Sequence, residues 1–315
     1  MSGVQYFKGN DAFFEALPQA LIPASHAGGV VRILMMGDVI GRPGRKILKS
    51  VLPQLRHRAQ LNMVTVNGEN LAGGFGITQK IFNELTAPAV GVDVITMGNH
   101  WCDKPEVHAI RKSGNRMVLP QNLKNLEGIT AIPEFEIPHS HRRLMVVNLM
   151  GLFAMKHEYN DPFEFLESVR PTLEAKVRGG QGIVIIDVHA EASSEKQAIA
   201  WFMDGVAAGM IGTHTHTPTS DERLTRKGTA FITDVGMTGP YESVIGMSLA
   251  GSMCRYFAPK QKKPQEVSEN DLWLCGFLLE VSEQSGLTLA AHRLQYREDT
   301  EEWTLRTVTP PVAKT

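Results

Sequence analysis

In the stretch GMIGTHTHTPT, residues 209–219, an apolar run empties into two histidines one residue apart. Alternate side chains of an extended chain project to the same side, so the imidazoles of His214 and His216 are able to converge on one centre. Two loop histidines at a strand end would read the same way. The choice between these readings rests on what the other strands deliver.

Further apolar runs with the length of buried strands lie at 31–36, 62–66, 93–97, 143–149, 182–187 and 229–234. Helical segments separate several of them. PGRKILKSVLPQLRHRA at 43–59 opens on a proline suited to a first helical turn, with Pro53 as a point where the segment kinks or splits. SEKQAIAWFMD at 194–204 has Ser194 and Gln197 at capping-box spacing and stops before Gly205. Strand and helix in alternation predict an α/β fold with parallel pairing and helices on its faces. The runs at 229–234, 273–281 and 286–294 follow one another with no obvious helix between, which predicts a second, more antiparallel sheet.

The strand ends share one chemistry. Run 31–36 delivers Gly37-Asp38, 62–66 delivers Asn67-Gly68-Glu69-Asn70, and 93–97 delivers Gly98-Asn99-His100. Run 182–187 delivers Asp187-Val188-His189, and 208–212 delivers His214 and His216. The C-terminal strand ends of a parallel sheet lie on one edge, where open α/β folds bind ligands, so the five clusters are expected along one rim. Carboxylate oxygen, amide oxygen and imidazole nitrogen together suit manganese, iron or zinc rather than calcium or a thiolate-seeking ion. Seven such groups exceed the needs of one tetrahedral zinc, whereas two ions sharing a carboxylate would use them all. Each residue also has a plainer role open to it. Asp38 fits a helix cap, Asn70 and Asn99 fit turns, Glu69 a solvated strand end, and His189 a satisfied core position. It is their joint placement at strand ends that points to metal.

Other patterns are weaker. His139 and His141 repeat the spacing, but Pro138 before them and two arginines after read as a surface turn. Gly73-Gly74-Phe75-Gly76 lacks the order of a dinucleotide fingerprint, and GRPGRK at 41–46 is no P-loop. Cys102, beside His100, has no base of its own and reads as a partly buried thiol. Arg42 and Arg45 read as solvated helix-start residues, with the steering of an anionic substrate as their other role.

Composition narrows the class. Lys plus Arg number 32 against 33 Asp plus Glu, so no overall basic field draws the chain to nucleic acid or anionic lipid, and a polyanionic partner would need a local patch. The polar, lysine-rich segment 258–270 reads as a solvated loop. Three scattered cysteines build neither a disulfide framework nor a zinc ribbon, which fits a reducing compartment. No run reaches the ~18 apolar residues of a spanning helix, and charge interrupts the apolar segment near the N-terminus, so a cytoplasmic protein without a membrane partner is expected. The expected division is an N-terminal extension at 1–30, ending in the pair Gly28-Gly29, one domain at 31–295, and a tail at 296–315.

Taken in order, GDVIGRPGR, NGENLAGGFGIT, ITMGNHWCDK, DVHAEASSEKQAIAWFMDG and GTHTHTPTSDERLTRKGTAFITDVGMTGPYESVIGM resemble the YmdB-like branch of the calcineurin-type metallophosphoesterases, over about residues 32–247 and more loosely to 293. The superfamily pattern has a histidine two residues after its first aspartate and a bridging aspartate in its second motif. Here Ile40 and Glu69 stand in those places, and in the YmdB-like branch an asparagine beside the bridging glutamate, here Asn70, fills the gap. The resemblance implies a four-layer α-β-β-α sandwich of mixed sheets. It implies one metal on Asp38, Glu69, Asn70 and His216, and a second on Glu69, Asn99, His189 and His214. Iron or manganese are the ions expected, with zinc as the alternative.

The expected activity is hydrolysis of 2′,3′-cyclic nucleotides or related phosphodiesters, by a water held between the two ions and His100 as general acid. RNA and a second copy of the chain stay open as further partners. Two other readings remain: a regulatory protein that binds nucleotide or RNA at its metals with little turnover, and a metal-dependent hydrolase of a non-phosphate bond. The loops LAGGFG and WCDK and the insert 151–163 differ from common family versions and bear on substrate preference.

Overall fold

From Val30 to Asp38 the chain is buried on nearly every residue, and its alternation divides the molecule. Ile33 and Met35 enter one apolar cluster, Leu34 and Met36 another on the opposite face. A strand buried on both faces must lie between two packed layers. The computed structural model describes residues 3–23, 29–113, 116–124, 131–155, 159–261 and 263–311. Gly28 of the expected extension, 156–158 of the insert, Lys262 and the last four residues of the expected tail lie outside them.

In chain order the elements begin with β1 (Val4–Lys8), α1 (Asn10–Ala20), β2 (Val30–Asp38), α2 (Gly41–Arg58), β3 (Met63–Asn67), α3 (Gln79–Thr86), β4 (Val94–Thr96), α4 (Val107–Ser113) and β5 (Met117–Val118). There follow β6 (Glu134–Glu136), β7 (Arg143–Met150), α5 (Pro162–Arg178), β8 (Gly182–His189), α6 (Ser193–Phe202), β9 (Ala207–Thr213), β10 (Arg223–Leu224) and β11 (Ala230–Ile232). The last are β12 (Gly239–Pro240), α7 (Leu249–Phe257), β13 (Leu272–Ser282), β14 (Thr288–Arg297) and β15 (Glu302–Val308).

Among the described residues two mixed sheets form. The larger runs β1-β15-β14-β13-β2-β3-β4-β5, with β12 beside β13, and the smaller runs β10-β11-β9-β8-β7-β6. Their facing sides share the cluster of Ile33, Met35, Leu144, Val146, Ile183, Ile185 and Phe277. Outside the larger sheet, α1 to α4 contribute Phe13, Leu48, Leu52, Phe82, Leu85 and Val107 to a second cluster. Outside the smaller sheet, α5 and α6 contribute Leu166, Leu173 and Ile199 to a third. The result is the four-layer α-β-β-α sandwich that the resemblance implies.

Three expectations change. Residues 230–232 pair parallel with β9 and are followed by α7, where no helix was expected, while β13 and β14 join the larger sheet antiparallel on the open edge of β2, so the late strands are divided between the sheets. Pro53 lies inside α2 without ending it. Ser194 caps nothing: α6 starts from Ala192, and Gln197 instead donates to Thr233 Oγ1. The chain ends also enter the larger sheet. β1 pairs with β15, and Phe13 stacks on the buried Trp303 with ring centroids 3.9 Å apart. Among the described residues no helix is long and apolar enough to cross a membrane.

Candidate metal centre

The strand ends meet, though along two rims rather than one. β2, β3 and β4 are parallel neighbours and bring Asp38, Glu69, Asn70 and Asn99 to one edge of the larger sheet. β8 and β9 bring His189, His214 and His216 to the edge of the smaller sheet. The two edges touch directly. The His214 N–H donates to Asp38 Oδ2 at 3.1 Å, and the Thr238 N–H donates to the Asp38 carbonyl at 2.8 Å. Asp38 therefore does not cap α2, whose first residue follows Ile40 with no side-chain cap.

Two groups of ligand atoms form around Glu69. Glu69, His189 and His214 make one, and Asp38, Glu69 and His216 the other, each with its atoms within 4.8 Å of one another. Asn99 Oδ1 stands 3.0 Å from His189 Nε2 and so joins the first. Asn70 is buried beside Glu69. Its Nδ2 donates to the Gly74 carbonyl, and its own backbone carbonyl accepts from Gly41 in the chain just after Asp38.

The loop that carries both histidines is not extended. His214 and His216 have φ of 94° and 63°, a left-handed conformation costly for residues with a Cβ. Their rings consequently serve different groups instead of one. The strain is held by Asp234. Its buried carboxylate accepts from the Thr215 N–H at 3.2 Å, the Thr215 hydroxyl at 2.8 Å and Lys196 Nζ at 2.9 Å.

Hydrogen-bond partners set the tautomers. His216 Nδ1 lies 2.8 Å from the Ile245 carbonyl, which can only accept, so Nδ1 carries hydrogen and Nε2 offers a lone pair. Thr213 donates to Asp187 Oδ1 at 2.8 Å, so its oxygen accepts from His189 Nδ1 at 2.9 Å and leaves Nε2 facing Glu69 and Asn99. His214 Nε2 is 3.3 Å from Glu191 Oε2, which turns Nδ1 toward His189 Nε2, 3.1 Å away. Acceptor atoms thus converge with few donors among them. Among the described residues buried Asp38 Oδ1 and Asn70 Oδ1 have no hydrogen-bond partner, although Asp38 Oδ1 lies 3.7 Å from His189 Nδ1 and 3.9 Å from His216 Nε2. Unsatisfied buried acceptors of this kind are costly unless a cation or proton lies between them, so the donor set fits metal.

Ionisation follows the same crowding. Burial pushes the Asp38 carboxyl up, against the pull of His216 and His189. Burial also opposes the charge on Glu69, but His189 and the His100 N–H outweigh it and hold this carboxyl down at about 2. For His189 burial works against the cation, and the carboxylates of Glu69, Asp38 and Asp187 outweigh that to raise it to about 9. Burial, then the cationic His189, drives His214 down to about 3.

His100 is tied to the same carboxylate: its N–H donates to Glu69 Oε2 at 2.9 Å. Its Nδ1 lies 2.7 Å from Asp103 Oδ2, and its ring meets Phe75 edge-on at 5.0 Å. Gly98 makes the close approach possible, because a Cβ there would fall 2.3 Å from Glu69 Oε2 and 2.4 Å from His189 Nε2. The remaining sequence candidates lie elsewhere. Arg42 pairs with Glu269, and Arg45 donates to the Leu71 carbonyl. His141 is exposed on the turn before β7 near Glu283. Cys102 is exposed rather than partly buried.

Supporting residues went unassigned at the level of sequence. Asp187 shares a strand face with His189, a period-two signal that was available. Its carboxyl, pushed up to about 6 by burial, also accepts from Thr96 and Asn67. Thr213, Lys196, Asp234 and Asp103 carried no such signal.

The chain matches the model of the YmdB-like protein family over residues 34–294. It belongs to that family. A relative named 2′,3′-cyclic-nucleotide 2′-phosphodiesterase, from Bacillus subtilis (strain 168), is 37% identical over 271 residues, which cover 85% of this YmdB-like chain and 98% of the relative. Two solved structures share the fold. One, a novel phosphatase from Mycoplasma pneumoniae, has a TM-score of 0.75 at 31% identity, with 85% of this chain and 94% of the other covered. The second, a hypothetical protein from Thermus thermophilus, has a TM-score of 0.74 at 32% identity, with 85% and 100% covered.

Proposed function

We propose that this YmdB-like chain is a phosphodiesterase that opens 2′,3′-cyclic nucleotides or related phosphodiesters at a centre of two cations. One cation would be held by Asp38, Glu69, Asn70 and His216, and the other by Glu69, Asn99, His189 and His214. The observation that carries this is the pair of buried oxygens without a hydrogen bond among the described residues, Asp38 Oδ1 and Asn70 Oδ1, beside a second group of converging lone pairs, both groups sharing Glu69. The mixed oxygen and nitrogen donors suit iron or manganese, with zinc as the alternative. Bound cations supply a Lewis acid for the phosphoryl oxygens and an acidified water. The family membership and the activity in the name of the Bacillus relative support the same reaction.

The chain's own residues do the rest. Water oxygen bonds to phosphorus and releases one proton to solvent, the bond from phosphorus to O2′ breaks, and O2′ takes a proton from a group that solvent then reprotonates, leaving a 3′-phosphate monoester. His100 supplies that proton. Asp103 fixes its ring by accepting from Nδ1, which leaves Nε2 as the exchangeable position, and the N–H of His100 to Glu69 holds the residue beside the centre.

The test is turnover of 2′,3′-cAMP and of bis-p-nitrophenyl phosphate by protein loaded with manganese or iron. Both are expected to react, and metal-replete protein inert toward both would end the reading. His100→Ala should keep its metal and lose about 10²–10⁴-fold in kcat. An unchanged kcat would remove His100 from the role of acid.

A further inference from the structure

Helix α7 is inverted with respect to an ordinary surface helix. Its buried residues include the small Gly251, Ser252 and Cys254. Leu249, Met253, Tyr256 and Phe257, which share one helical face, are exposed, Tyr256 by 68% and Phe257 by 81%. A surface helix turns its large apolar side chains inward. A contiguous outward stripe of them marks a surface that binds something. Four residues before α7, exposed Ile245 stands beside the metal centre, since its carbonyl is the partner of His216 Nδ1. The helix is anchored at that end, where the Ser248 N–H donates to the Glu266 carbonyl at 2.8 Å and the Ser248 hydroxyl accepts from Gly251 N–H at 3.3 Å.

Charge selects the occupant. From α7 to Gln265 the sequence holds Arg255, Lys260, Lys262 and Lys263 and no acidic residue, while exposed Glu242, Glu266 and Glu269 flank the segment on the side of Ser248. Arg255, Lys260 and Lys263 are exposed, and among the described residues they form no ion pair. A second copy of the chain packed on this face about a two-fold axis would set these cations against their own kind. A nucleic acid strand meets both features at once, with phosphates for the cations and base faces for Tyr256 and Phe257. The overall charge is balanced, so this is the local patch that a polyanion requires.

We infer that α7, with Lys260 and Lys263 beyond it, forms a platform for single-stranded RNA whose 3′-terminal 2′,3′-cyclic phosphate reaches the metal centre. The substrate class is then RNA ends rather than mononucleotides alone. This rests on the phosphodiesterase reading, and the bond broken is the same: water adds to phosphorus, and O2′ leaves with a proton.

The experiment compares kcat/KM of metal-loaded full-length protein on 2′,3′-cAMP and on an oligoribonucleotide of about ten residues ending in a 2′,3′-cyclic phosphate. Stacking of one base is worth about 5- to 150-fold. The oligomer should be preferred by about tenfold or more, the preference should fall steeply with salt, and Tyr256→Ala/Phe257→Ala should reduce it about tenfold. Both side chains are exposed, so the core is untouched. Equal kcat/KM for the two substrates, or a preference that survives the double substitution, overturns the platform. A change of oligomeric state in the double variant, read by light scattering, also overturns it in favour of an interface between copies. If neither substrate reacts, the phosphodiesterase reading fails by itself, and anisotropy of a fluorescent RNA decamer on metal-loaded protein still decides the platform. Binding weakened by the double substitution supports it; binding absent or unaffected overturns it.

Discussion

Gly98→Ala adds one methyl group where the centre has no room. The new carbon would lie 2.3 Å from Glu69 Oε2 and 2.4 Å from His189 Nε2. Carbon and its neighbours rest at ~3.5 Å, so the overlap is about 1 Å in two directions. Gly98 does not have a positive φ, which makes the effect steric rather than conformational. Neither neighbour can swing away cheaply. The Glu69 carboxylate is held by the His100 N–H, and the His189 ring by Thr213 on one side and Glu69 on the other. Relief therefore displaces the shared carboxylate or the ring by about 1 Å. Misplacement on that scale costs about 10²-fold in rate, and overpacking costs ~1–3 kcal/mol of stability. The variant should fold, bind less than the wild-type complement of metal, and lose about 10²-fold in kcat/KM on 2′,3′-cAMP. Denaturant unfolding, elemental analysis and steady-state kinetics read the three quantities. Gly98→Ala protein with wild-type metal content and rate would show that these groups do not crowd on residue 98, and the account of the centre would fall.

Metal binding should release a proton from His189, which is raised to about 9 and so protonated at pH 7.5. Calorimetry in buffers of differing ionisation enthalpy should show this release, and it should vanish above about pH 10; no release at pH 7.5 would contradict it. The same elevation stabilises the metal-free fold fully below the ordinary value of 6.5, and that contribution is lost as pH rises through about 9. Thermal unfolding of the metal-free protein across this range should show the decline, and a flat profile would count against it. Thr213→Val cuts the path from Asp187 to His189 Nδ1 and should weaken metal affinity about 10–100-fold in competition with a chelator. An affinity within twofold of the wild type would exclude that path. Lys196→Met leaves the buried Asp234 without its cation and should cost ~3–5 kcal/mol in urea unfolding; a loss below ~1 kcal/mol would show the pair to be dispensable.

Much of the architecture was open to a reader of the residues alone. Runs such as 182–187 and 208–212 became β8 and β9 because a continuous apolar run needs a layer on either side. Other inferences required information that local pattern does not hold. Alternation on an extended chain would aim His214 and His216 at one centre, whereas the family resemblance divides them between two, and it is left-handed backbone at both that turns their rings to two groups. Ser194 and Gln197 have capping spacing, but Thr233 on another strand end takes Gln197 away. The late strands looked like one sheet until β13 found the unpaired edge of β2.

By itself, then, the amino-acid order set the candidate donor atoms at strand ends, since side-chain chemistry and the two-residue period of burial are properties of the chain nearby. Only the tertiary structure decided which donors face each other. Glu69 stands between His189 and Asp38 because two sheets pack face to face with their rims aligned, and Gly98 allows them to approach. That pairing depends on contacts between residues more than a hundred positions apart, such as Asp38 with His214.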